Sequence, residues 1–224
     1  MSVTVTVWGQ SAVRVERDGR RLAIDPGVLS DPAVLEGAEG VLVTHGHVDH
    51  VVPERLAPAL AEAVDLHVWA PDDAVAALVE AGAPRERMHA VAEGDELEVA
   101  GFAIRVLGRD HAVIHPDLPP LANVAYLVDG ALLHPGDAFV TPPADAAVDG
   151  LALLLLPVSA PWMKLSEAVD YVRQVAPRVA VPIHDAILSE AGRGVVDRLV
   201  GGLSGDGVDY RRLAPGEPLE VASA

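Results

Sequence analysis

Val3, Val5 and Val7 alternate with Thr4 and Thr6, so the chain opens on a period of two that predicts a half-buried strand. Residues 12–16 form a second strand, Asp18-Gly19 marks a hairpin turn, and residues 21–24 form a third strand that stops at Asp25-Pro26-Gly27. This meander suits one sheet of a sandwich. The apolar run Gly40-Val41-Leu42-Val43 reads as buried, and residues 41–44 are expected to be a central strand. Residues 49–63 suggest a helix that Pro53 and Pro58 shorten or break. A strand over 66–70 follows, then a helix that starts at Pro71-Asp72-Asp73 and ends at Ala81-Gly82.

The second half roughly repeats that layout. Residues 97–99 and 102–107 flank Ala100-Gly101 as a hairpin, and residues 122–128 and 131–133 flank Asp129-Gly130 as another. Residues 151–156 are continuously apolar, the mark of a strand buried on both faces. A loop over 157–164 leads to a helix over 165–175, a buried strand over 178–183, a helix over 187–199 and a closing hairpin over 210–221. No linker, low-complexity tract or basic tail interrupts the pattern. The length of 224 residues fits a single domain, 1–224, of the α+β class.

Half of the residues are hydrophobic, which excludes a disordered chain. Cysteine is absent, so a metal would have to be held by histidines and carboxylates. The net charge is -17, from 33 acidic and 16 basic residues, and the basic pairs Arg20-Arg21 and Arg211-Arg212 do not make a patch. Nucleic acid is therefore not an expected partner, because binding it needs a basic surface that displaces counterions. The first eight residues lack a basic start and read as a strand instead of a signal peptide. The longest apolar run, 151–158, is too short to span a bilayer. A soluble, cytoplasmic protein without a membrane partner is expected. Its oligomeric state is left open.

The chemistry concentrates in Thr44-His45-Gly46-His47-Val48-Asp49-His50. Four potential metal ligands lie within six residues, directly after a buried strand. Imidazole is the commonest protein metal ligand, and carboxylate suits the same divalent ions. His45 and His47, two apart, project to one side of an extended segment. A turn after them can aim Asp49 and His50 at a different point, so one loop could feed two adjacent ions.

His45-Gly46-His47-Val48-Asp49-His50 resembles the HxHxDH signature of the metallo-β-lactamase superfamily of metal-dependent hydrolases. The resemblance covers nearly the whole chain and is closest to small proteins related to ascorbate-phosphate lactonase. It implies a four-layer αββα sandwich, with two sheets face to face and helices outside. It also implies a third histidine at the end of the strand over 102–107. His111 is favoured for that role over His115, which is read as a neighbouring or substrate-contacting group. Asp137, after Gly136, resembles the family's bridging aspartate, and His184 its last strand-end histidine. Read alone, His111 would be an edge polar residue and Asp137 a turn residue.

The resemblance thus implies one ion on His45, His47 and His111, a second on Asp49, His50 and His184, and Asp137 between them. Zinc is expected for both ions, with manganese or iron as alternatives. Two such ions would generate hydroxide from a shared water at neutral pH, and Asp49 and Asp137 are the candidate catalytic carboxylates. Asp25 is either a turn former or a carboxylate that orients a ligand histidine. In the loop after the buried strand, Trp162 could wall a pocket and Lys164 could neutralise an anionic substrate. Their alternative is a surface loop with a helix-start lysine. His67, His89 and His134 are given no ligand role.

The leading expectation is a hydrolase of a small ester, lactone or phosphoester, with a small-molecule substrate that could be anionic. A nuclease or phosphodiesterase of the same superfamily is an alternative, against which the acidic balance stands. A di-iron redox protein would resemble a branch with Glu at the second motif position, where this chain has His47. A non-catalytic metal-binding protein is the remaining class, and fold analogy cannot choose the substrate.

Overall fold

The computed structural model describes residues 2–144 and 150–222. The first half contributes β1 (Ser2–Val7), β2 (Val13–Arg17), β3 (Arg20–Ile24), β4 (Gly40–Leu42), α1 (Pro53–Glu62), β5 (His67–Ala70), α2 (Asp72–Glu80) and β6 (Met88–Ala90). The second contributes β7 (Glu96–Val99), β8 (Phe102–Leu107), β9 (Ala125–Val128), β10 (Leu132–His134), β11 (Leu153–Pro157), α3 (Leu165–Val175), β12 (Val179–Ile183), α4 (Glu190–Leu203), β13 (Asp209–Tyr210) and β14 (Pro218–Ala222).

Two seven-stranded sheets result, in the orders β14-β1-β2-β3-β4-β5-β6 and β13-β12-β11-β10-β9-β8-β7. The repeat read in the sequence is visible in the pairing. β1 to β3 are antiparallel and β3 to β6 parallel. β7 to β10 are antiparallel and β10 to β13 parallel. The β2–β3 and β7–β8 turns, Asp18-Gly19 and Ala100-Gly101, have positive φ at both central residues. That geometry matches the right-handed twist of the strands it joins.

Three apolar layers separate four structural layers. Val5, Val15, Leu22 and Leu42 meet Phe102, Tyr126, Leu153 and Val181 between the sheets. Behind the first sheet, Val41 and Val68 cover Leu56 and Leu60 of α1 and Val75 and Leu78 of α2. Behind the second, Leu127, Leu154 and Leu156 cover Val169 and Val172 of α3 and Val196 and Val200 of α4. The continuous run in β11 follows from this: Leu153 and Leu155 face the inter-sheet core while Leu154 and Leu156 face the helices. The architecture is the four-layer αββα sandwich. No helix among the described residues is long and apolar enough to cross a membrane.

Three local expectations are corrected. Residues 210–221 are not a hairpin: β13 pairs with β12 in one sheet and β14 pairs with β1 in the other. Pro215-Gly216 turns the chain across the sandwich, and each strand extends a different sheet. A strand pattern does not say which edge the strand will join. The helix expected over 49–63 starts at Pro53, where a missing N–H costs nothing, and Pro58 sits inside it. Residues 49–52 are left free to form the turn that presents Asp49 and His50. α4 likewise begins later than expected, with Ser189 as its cap accepting from Gly192 N at 3.2 Å.

Candidate metal centre

The functional side chains converge on one end of the sandwich because each follows the carboxyl end of a strand. Asp25 follows β3, the His45–His50 segment follows β4, His111 follows β8, Asp137 follows β10 and His184 follows β12. The backbone after β4 is locked by Val43 N–H donating to Trp69 O (2.8 Å) and Val124 N–H donating to Thr44 O (2.9 Å). Tyr126 Oη–H donates to Val43 O at 2.9 Å. Two glycines allow the segments to meet. A Cβ on Gly27 would lie 1.9 Å from Asp49 O, and one on Gly136 would lie 2.2 Å from Asn123 Oδ1. Any larger residue there would displace the ligand turns.

His45, His47, His111 and Asp137 form one group, and Asp49, His50 and His184 a second; within each, one ligand atom per residue lies within 4.8 Å of the others. The Asp137 carboxylate touches both groups. Its Oδ1 is 3.2 Å from His50 Nε2, and its Oδ2 is 3.2 Å from His184 Nε2 and 3.5 Å from His111 Nε2. Trp162 Nε1–H donates to Oδ2 at 2.8 Å. Asp49 Oδ2 lies 3.3 Å from His184 Nε2.

The donor set fits divalent ions on a specific observation. His50 Nδ1 meets Asp25 Oδ2 at 2.7 Å, His111 Nδ1 meets Ala112 O at 2.6 Å, and His184 Nδ1 meets Ser159 O at 2.7 Å. In the neutral ring an oxygen acceptor at Nδ1 fixes the proton there and leaves Nε2 as the atom that can ligate. Those three Nε2 atoms and Asp137 Oδ1 are buried, and apart from their contacts with the site carboxylates they have no hydrogen-bond partner among the described residues. Buried polar atoms without partners are costly, and cations bound in the two groups would satisfy all four. His45 Nε2 and His47 Nδ1 face each other at 3.0 Å, while Thr44 Oγ1 lies 3.1 Å from His45 Nδ1.

Charge balance points the same way. Burial, then the neighbouring His50, pushes the His45 pKa well down; burial and His111 lower that of His47. Both are thereby kept neutral, the form that can ligate a metal. Burial also pulls His50 down, but Asp25 and Asp137 outweigh it and push it up to about 10. In His184 burial is outweighed by Asp137 and Asp49, which push it up to about 9. Burial would raise Asp137, yet His111, His184 and His50 hold its carboxyl far below the usual range. Burial likewise opposes ionisation of Asp49, and His184, His50 and Gln10 hold it down. The carboxylates therefore retain compensating protons on His50 and His184 that a metal cation would replace.

Asp25 is buried and has φ 51°. Its Oδ1 accepts from Thr44 N at 2.8 Å, and its Oδ2 accepts from Thr44 Oγ1 at 2.7 Å besides meeting His50. It orients His50 as well as forming a turn. His115 is exposed, accepts from Asp117 N at 3.2 Å, and lies in the wall of a cleft that His47 and His111 also line, outside the two ligand groups. Lys164 is exposed at the start of α3, its N–H donating to Glu167 Oε2 at 2.6 Å. His134 is buried with Nε2 2.8 Å from Ser11 O, and His67 and His89 meet each other at 2.7 Å.

The sequence reading missed Gln10 and Asn123. Gln10 Nε2 donates to Asp49 Oδ2 (2.9 Å), its Oε1 accepts from Ala186 N (3.1 Å), and its backbone O accepts from His184 N (2.8 Å). Asn123 Oδ1 accepts from Asp137 N at 2.9 Å. The only available signal was Gly9-Gln10 as a turn between two strands, with φ 97° and 48°.

The fold is that of the metallo-β-lactamase superfamily, with its two His/carboxylate groups at the carboxyl ends of the strands. A model of the beta-lactamase superfamily domain matches residues 4–184, and the chain belongs to that superfamily. A Mycobacterium tuberculosis protein is 41% identical over 197 residues, 85% of this chain and 88% of the relative. A UPF0173 metal-dependent hydrolase of Methanocaldococcus jannaschii is 24% identical, covering 80% and 83%. The metallo-beta-lactamase fold protein YhfI of Bacillus subtilis superposes with a TM-score of 0.73 at 18% identity, covering 98% and 99%.

Proposed function

We propose that the protein hydrolyses a small ester, lactone or phosphoester with two divalent ions, zinc by preference. One would be held by His45, His47 and His111, the other by Asp49, His50 and His184, with Asp137 shared. The observation that carries this reading is the set of three buried Nε2 atoms gathered around one carboxylate that touches both groups. The all His/carboxylate donor set suits zinc, while manganese and iron remain compatible with it. When bound, the ion pair would supply Lewis acidity and an activated water at neutral pH.

The remaining work falls to the chain. Asp25, Ala112 O and Ser159 O hold three imidazoles in the tautomer that ligates. Trp162 fixes the Asp137 carboxylate through Oδ2. Asp49 stays ionised and is steadied by Gln10, so it can orient the attacking water by accepting a hydrogen bond from it. His115 would contact substrate from the cleft wall. Lys164 would supply the cation if the substrate is anionic.

The test is elemental analysis of purified protein, followed by a panel of lactone, carboxylic ester, thioester and phosphodiester substrates before and after metal removal. Close to two ions per chain and metal-dependent turnover of at least one class are expected. Absence of bound transition metal, with no gain on adding it back, would overturn the reading.

A further inference from the structure

The cleft beside the metal centre has a chemical character that the ligand set does not explain. It encloses about 810 Å³ and is formed by residues 110–121 together with His47. Val113, Ile114, Leu118 and Leu121 line it along with three prolines of the same segment. Val113 is 72% exposed and Leu118 54%, so large apolar side chains stand in water right next to two metal-ligand histidines. Among the described residues, no lysine or arginine lines the cleft. Its one carboxylate, Asp110, is met by Arg109 at 3.1 Å, and another, Asp117, lies 3.6 Å from His115 Nδ1. These walls therefore add no counter-charge for a phosphoester beyond the ions proposed at the centre, whereas an apolar group would be sheltered from water by them.

We infer that this cleft binds the apolar part of an uncharged substrate, so that the hydrolysed class is a carboxylic ester or lactone carrying a hydrocarbon group, not a phosphoester. The inference rests on the hydrolase reading and narrows it. His47 and His111 belong to both the ligand cluster and the cleft wall. A carbonyl placed at the metal centre thus leaves its hydrocarbon chain lying along Val113, Ile114 and Leu118. Hydrolysis adds water across the acyl C–O bond: the new C–O bond forms to the water oxygen, and the departing oxygen leaves as an alcohol after taking up a proton.

The inference is tested first by binding, without turnover. Straight-chain alkyl amides from butanamide to octanamide are titrated into the zinc-loaded protein. Affinity should rise about two- to fourfold per added methylene, the range expected for partial to full burial of each group. Leu118→Asp and Val113→Asp should flatten that rise with metal content unchanged; both residues are exposed, so folding should tolerate the changes. In turnover, p-nitrophenyl octanoate should exceed p-nitrophenyl acetate in kcat/KM, and p-nitrophenyl phosphate should trail both. Affinity independent of chain length, an undiminished rise in both variants, or phosphate as the best of the three would overturn the inference. Amides that gain with length on a protein that cleaves no ester would support the cleft and sink the hydrolase reading. Ester turnover with flat amide binding would do the reverse.

Discussion

Asp25→Asn removes one charge and one acceptor while leaving the side chain the same size. The carboxylate accepts three hydrogen bonds, from His50 Nδ1 and Thr44 Oγ1 at 2.7 Å and from Thr44 N at 2.8 Å. An amide has a single acceptor oxygen, and its NH2 end must face a donor whichever way it is turned. His50 then loses the partner that keeps its proton on Nδ1, and its Nε2 is no longer held as a ligand. The backbone does not confound the test, because Asn tolerates the left-handed φ of 51° that would strain Ala. Loss of such an orienting partner costs about 10- to 100-fold in metal affinity, or about 1.4–2.7 kcal/mol. The loss should fall on the ion held by Asp49, His50 and His184. Losing charge-assisted hydrogen bonds should also destabilise the metal-free fold by about 1.5–3 kcal/mol. Competition against a chromophoric chelator measures each affinity, and thermal melting the fold. Two ions retained at wild-type affinity, within twofold, would refute this reasoning.

Other expectations follow from the same geometry. His111→Ala should strip metal more severely than His115→Ala, since only His111 belongs to a ligand group; metal content of the two variants decides, and the opposite order would move the assignment to His115. Gln10→Asn, which tolerates the φ of 48° but is too short to reach, should lower turnover about tenfold or more with metal content reduced less, because it releases Asp49 Oδ2 and Ala186 N without deleting a ligand; unchanged turnover would remove Gln10 from the site. Folded-state pKa values of about 10 for His50 and about 9 for His184 stand above the unfolded value of about 6.5. Their stabilisation of the metal-free protein is thus fully present below about pH 6.5 and lost as pH rises through 9 to 10. The melting temperature of metal-free protein should fall across that window while metal affinity rises with pH, because ligation displaces these protons; a melting temperature that climbs from pH 7 to 10 would contradict the charge assignment.

How much of this was legible in the sequence depends on the range of each interaction. The strands and the internal repeat were readable because alternation and the 151–156 run report burial locally. His45, His47, Asp49 and His50 were readable because they are contiguous. His111, Asp137 and His184 came only through a family resemblance: nothing in their own neighbourhoods separates a ligand from a strand-end polar residue. Asp25 could be narrowed to two roles, and the structure gives it both. Gln10 and Asn123 act across 39 and 14 positions, on Asp49 and on the Asp137 backbone, which no local pattern records. The destination of β14 was misread for the same reason, since its partner, β1, is at the other end of the chain. The prolines were read correctly as shortening the helix, which runs only over Pro53–Glu62; Pro53 does so by opening α1, and Pro58 is accommodated inside it.

The central claim is a shared two-ion centre with Asp137 between the ions. Elemental analysis of wild-type and Asp137→Ala protein, prepared side by side with circular dichroism and turnover on each, tests it most directly. Loss of the carboxylate would leave two dications at close range repelling without a charge between them. The core, built from runs such as Leu153–Pro157, does not depend on that carboxylate. The account predicts close to two ions in the wild type and a fall towards one in a folded Asp137→Ala, with turnover lower by orders of magnitude. A folded variant that keeps both ions and normal turnover would contradict it.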